Sequence, residues 1–144
     1  MNIVKDFIVC SVAVLFYSLL MNSPRKSILF AAIISGIGYI TNDLIFLLIG
    51  NEVLGFFGGT LIIAIMGEIF ARIMKMPSII FIFPAVIPLV PGIGLYRTML
   101  LLVQKNYGDA VTMGAQTLFI AGAMSVAIAL VNIVARYFIP GSKK

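Results

Sequence analysis

FPAVIPLVPGIGLYR, residues 83–97, sets three prolines and two glycines inside a stretch otherwise apolar enough to lie in lipid. Pro84, Pro88 and Pro91 follow one another at spacings of four and three, so on a helix they share one face. A proline has no N–H, which would leave the carbonyls of Ile80, Pro84 and Ile87 without helical partners. Pro91-Gly92, followed by Gly94, makes a straight continuation still less favourable. Backbone released in this way is tolerated within a membrane only where protein covers it or water reaches it. The stretch predicts a broken helix, either exposing polar backbone to a solute at mid-membrane or kinking for packing.

Composition makes lipid the solvent. Of 144 residues 62% are hydrophobic and 10% charged, with no histidine or tryptophan, and the mean hydropathy is +1.17. So short a chain cannot hide that much apolar surface from water in its own core. The net charge of +5 comes from basic residues scattered between apolar runs, which favours anionic headgroups over nucleic acid as partner. Cys10 stands alone in an apolar run, so no disulfide, Cys-rich metal site or redox pair is available within the chain. That first run is expected to be retained as a helix, because Met21-Asn22-Ser23-Pro24 is a poor signal-peptide cleavage site.

At about twenty apolar residues per span, the chain reads as an all-α, polytopic membrane helix bundle. Five helices are expected over residues 4–22, 27–50, 53–75, 78–104 and 110–138, forming a single integral membrane domain over 1–144 with the fourth helix broken. Breaker and charge chemistry marks the turns: Pro24-Arg25-Lys26, Asn51-Glu52, Lys75-Met76-Pro77 and Asn106-Tyr107-Gly108-Asp109. With five spans, Arg25, Lys26, Arg72, Lys75, Arg136, Lys143 and Lys144 fall on one side, and Lys5, Lys105 and Arg97 on the other. The excess of Lys and Arg predicts a cytoplasmic carboxyl terminus and an outside amino terminus.

Polar residues inside apolar helices are the functional candidates. Asp43 should lie in the outer half of the second helix, where a charge is costly unless it faces a bundle interior or an aqueous cavity, or is neutralised by Arg97. Glu68 stands four residues before Arg72, the orientation of an intrahelical pair. Asp43 and Glu68 are the candidate proton or charge relays, whereas Glu52 and Asp109 are expected in solvated turns. Gly114, Thr117, Ala121, Ser125, Ala129 and Asn132 form a small, weakly polar stripe on the last helix, and Gly55 and Gly59, continued by Gly67, a second one. Stripes of this kind serve helix packing before they serve transport. No nucleophile stands beside a base and no metal-ligand cluster occurs, so no catalytic residue, metal or cofactor is expected.

The stretch Pro84-Ala85-Val86-Ile87-Pro88-Leu89-Val90-Pro91-Gly92 followed by Tyr96, after a basic turn ending in Pro77 and a helix carrying Gly36-Ile37-Gly38, resembles the small subunit of the split threonine/serine exporter family. The resemblance implies a bacterial inner-membrane protein working with a larger membrane subunit. It also implies export of L-threonine, L-serine or a small dicarboxylate such as succinate, driven by the membrane potential or a proton gradient. Pro84, Pro88, Pro91, Gly92 and Tyr96 carry over onto the motif. Physical reasoning adds Gly94 and Arg97 as substrate contacts, because a half-helix starting near Gly92 would aim N–H groups at a carboxylate. The alternative is a scaffold that transports nothing and stabilises its larger partner. On either reading the packing stripes favour association with that partner, and with a second copy as well.

Overall fold

Local chemistry ends each helix where the apolar pattern is interrupted. The computed structural model describes residues 3–138, as helices joined by short turns. The elements are α1 (Ile3–Leu20), α2 (Arg25–Ile49), α3 (Glu52–Met74), α4 (Ile79–Val86), a 3-10 turn (Ile87–Leu89), α5 (Gly92–Val103) and α6 (Tyr107–Phe138). Pro24 caps α2 with the φ of −54° that its ring imposes. Gly50, at φ 72°, ends α2 in the left-handed conformation that glycine adopts without strain, and its N–H donates to the Phe46 carbonyl. Asn51 then caps α3, its side chain accepting the Leu54 N–H at 3.3 Å.

Two expectations about turns are corrected. Tyr107, Gly108 and Asp109 form the first turn of α6 instead of a connection ending at 110, because Asn106 donates to the Asp109 carboxylate at 2.6 Å and the acid favours the helix N-terminus. Glu52 is the first residue of α3 instead of part of the connection, and it is exposed to solvent as expected while also accepting a 2.7 Å hydrogen bond from Gln116. Lys143 and Lys144 lie outside the described residues.

The contacts fix the directions. Phe7 and Ser11 meet Gly36 while Val14 meets Ala31 and Ala32, so α1 and α2 are antiparallel. Gly38 meets Gly59 and Asn42 meets Gly55, so α2 and α3 are antiparallel too. Gln116 reaches Glu52 and Arg72 reaches the Ala135 carbonyl, so α3 and α6 run parallel. A return path must therefore lie between them, and α4, the 3-10 turn and α5 together supply it, bent by 50°. By length and composition α2, α3 and α6 can each cross a membrane, and the bent pair counts as a fourth if its two halves form one span rather than a re-entrant loop. Among the described residues the count is three, or four with the bent pair taken as one span, so exactly five is not confirmed.

Glycine lets these helices approach. A methyl added at Gly59 would lie 2.7 Å from the Gly38 carbonyl oxygen, and one at Gly55 would lie 2.8 Å from Asn42 Oδ1. In lipid, where apolar burial offers no net drive between helices, such close backbone packing is what holds them together. α4 fills the groove beside this seam with Phe81, Ile82 and Ala85, all buried. The outward faces carry exposed Leu47, Leu48, Phe119 and Val126, as expected of a surface solvated by acyl chains.

Candidate functional site

The break in the fourth helix is narrower than the sequence implies. Three-residue turns rescue two of the carbonyls freed by proline: Pro84 O accepts the Ile87 N–H, and Ile87 O accepts the Val90 N–H at 3.1 Å. The expectation of unpaired carbonyls at Pro84 and Ile87 is therefore corrected, since tightening to 3-10 geometry offers each carbonyl a donor one residue nearer. Val90, at φ −57° and ψ 129°, leaves the helical conformation, and Pro91, with φ −74° and ψ 60°, caps α5. Leu89 is fully buried against Gly59, so the inner side of the break is sealed by the α2–α3 glycine seam.

The residues of the stretch do not converge on one cavity. Pro84 is buried within the bundle, and Pro88 and Pro91 are half-buried. Gly92 and Arg97 are exposed, and Tyr96 is 67% exposed. Gly94 packs against Thr117, one residue from the Gln116 that reaches Glu52. The start of α5 is thus nearer the level of the beginning of α3 than of its middle. α5 has no buried residue and packs on α6 alone. Thr98 helps hold it there, facing Gly114 while its hydroxyl donates to the Gly94 carbonyl at 2.8 Å.

Asp43 forms no ion pair with Arg97; its partner is Asn42, whose amide donates to it at 3.3 Å. Asn42 is buried on the Gly55–Gly59 face, and sequence reasoning passed over it in favour of the charge next door. Its spacing of four from Gly38, the residue facing Gly59, was the available signal. Buried hydroxyls of Ser11, Ser18, Ser35 and Thr60 have no hydrogen-bond partner among the described residues. An unpaired hydroxyl is expensive in lipid, so α1, α2 and α3 enclose an interior with polar capacity to spare.

At the other end of the bundle α4 and α6 flank α3 without touching each other, and an open cleft of ≈ 470 Å³ lies between their ends. Glu68 and Arg72 of α3, Ser78 ahead of α4, and Asn132 and Arg136 of α6 line it. Arg72 pairs with Glu68 at 3.2 Å, and donates to the Ala135 carbonyl at 3.3 Å, tying α3 to α6. Glu68, a candidate relay and partner of Arg72 in the sequence, and Asn132, a member of the packing stripe, line one surface. Of the rest of that stripe, Thr117 is buried, Ala129 lines the cleft and Ser125 is exposed, its hydroxyl returned to the Ala121 carbonyl.

The model of one protein family, described as "Threonine/Serine exporter, ThrE", matches residues 6–134. The chain belongs to the threonine/serine exporter family. The match runs far beyond the proline-glycine stretch and takes in the glycine seam and the lining of the cleft up to Ile133, leaving Ala135 and Arg136 outside it. An uncharacterized protein of Haemophilus influenzae is 26% identical over 139 residues, a comparison covering 90% of this chain. The chain spans 46% of that relative's length. No solved structure matches. The exporter-family chain thus carries several helices long and apolar enough to cross a membrane.

Proposed function

We propose that this chain is the small subunit of a split exporter, carrying L-threonine, L-serine or a small dicarboxylate such as succinate outward across the bacterial inner membrane beside a larger subunit. The observation that carries the reading is a membrane span broken at Leu89–Pro91 in a chain of the exporter family. Gly92, Gly94, Tyr96 and Arg97 form the outward end of the path, where the first N–H groups of α5 meet a carboxylate. Asp43, hydrogen-bonded and half-buried in the outer half of α2, is the candidate proton carrier. α1 is the fifth span, which puts the amino terminus outside and the carboxyl terminus in the cytoplasm. The exposed flank of α5 is the surface offered to the larger subunit, and the chain works as a transporter component, not an enzyme.

The scaffold reading has one observation in its favour, the local repair of the Pro84 and Ile87 carbonyls, which fits a kink made for packing. Pro88→Ala with Pro91→Ala separates the two. Restored helix bonds leave the protein no less stable, and on the exporter reading efflux of labelled threonine, serine and succinate per assembled complex falls severely. Normal turnover per complex, with assembly alone impaired, would hand the case to the scaffold.

A further inference from the structure

We propose that the cleft between α3 and α6 is a binding site for a free α-amino acid at the basic, cytoplasmic end of the path, a site separate from the broken helix. The inference rests on the exporter reading and names the substrate class that the cleft prefers. Its size falls in the range of small-molecule sites, and three parts of the chain contribute to its wall. The charges inside it are Glu68, Arg72 and Arg136, which leave one positive charge uncompensated. Arg72 is already engaged by Glu68 and by the Ala135 carbonyl. Arg136 and Asn132 both line the cleft, and among the described residues neither makes a side-chain hydrogen bond or ion pair.

A zwitterion matches this arrangement better than a dicarboxylate. Its carboxylate takes the Arg136 guanidinium, which suits a planar two-oxygen acceptor. Its ammonium adds to the Glu68 carboxylate, 15% exposed and already held by Arg72. Asn132 and Ser78 then offer hydrogen bonds to a side-chain hydroxyl, as L-threonine and L-serine possess. A second carboxylate would instead meet Glu68, a like charge.

The test is equilibrium binding of radiolabelled L-threonine and succinate to the purified full chain with whatever subunit accompanies it, in nanodiscs of zwitterionic lipid. Wild type should bind threonine in preference to succinate, and Arg136→Gln should weaken threonine by about tenfold to a hundredfold, the range for losing a charged hydrogen bond. Glu68→Gln should weaken threonine and spare succinate. Threonine affinity untouched by Arg136→Gln and Asn132→Ala would overturn the assignment, as would preference for succinate. Displacement of the requirement for Arg136 by anionic phosphatidylglycerol, with no threonine bound, would make the cleft a headgroup site and overturn it equally. Efflux read in parallel separates the two failures. An exporter whose KM ignores Arg136→Gln loses the cleft and keeps its function, whereas a wild-type complex that binds threonine in the cleft but exports nothing loses the function and keeps the cleft.

Discussion

Gly59→Ala probes the seam on which the broken helix rests. The added methyl would stand 2.7 Å from the Gly38 carbonyl oxygen, 2.9 Å from Leu89 Cδ2 and 3.0 Å from Asn42 Cβ. Favourable contacts between such atoms lie at about 3.5 Å or beyond, so the closest approach is roughly 0.8 Å too short. Leu89 can rotate away, but a backbone carbonyl and a Cβ on α2 cannot, and α2 must separate from α3. Overpacking of this kind costs about 1–3 kcal/mol, against which alanine returns up to about 1 kcal/mol of helix propensity. Gly122→Ala supplies the matched reference, because nothing lies within 4 Å of its added methyl. The propensity gain then cancels, and the two variants should differ by the whole overpacking cost, about 5-fold to over 100-fold in the folded ratio. Denaturation in mixed micelles, followed by circular dichroism at several detergent compositions, measures the difference. Gly59→Ala equal to or more stable than Gly122→Ala would refute the close-packed seam and the sealing of the break against it.

A carboxyl-terminal fusion to a reporter active only in the cytoplasm should be active, as the basic residues at the ends of α3 and α6 require; an active periplasmic reporter there would overturn the orientation. Arg72→Lys keeps a charge beside Glu68 but loses the planar fork that also reaches the Ala135 carbonyl, so detergent stability should fall by about 1 kcal/mol. An unchanged melting temperature in that variant would show that the tie between α3 and α6 contributes nothing.

Much of the fold was legible because membrane helices announce themselves locally. Gly50, Asn51 and Lys75 mark ends that the structure places within a residue or two of those expected, since capping depends on neighbours in sequence. The Glu68–Arg72 pair was equally legible, being a matter of one helical turn. The depth of the break was not. Its position follows from Leu89 meeting Gly59 and Gly94 meeting Thr117, contacts that no spacing along the fourth helix encodes. Asp43 drew attention by its charge, whereas the buried polar residue on the packing face is Asn42, and only the facing glycines of α3 distinguish the two.

The sequence by itself determined that this chain is suited to lipid, that it is built of helices, that the helix after Pro77 is interrupted and that its basic residues are unevenly distributed. Each of those follows from composition, period and the missing N–H of proline, properties that need no knowledge of distant neighbours. Only the tertiary structure decided that Glu68 and Arg72 share a cleft with Asn132 and Arg136, more than sixty residues further along. That meeting depends on α3 and α6 running parallel with the bent pair returning between them, and the pairing of non-adjacent helices is set by the fit of glycine against backbone and side chain across the bundle.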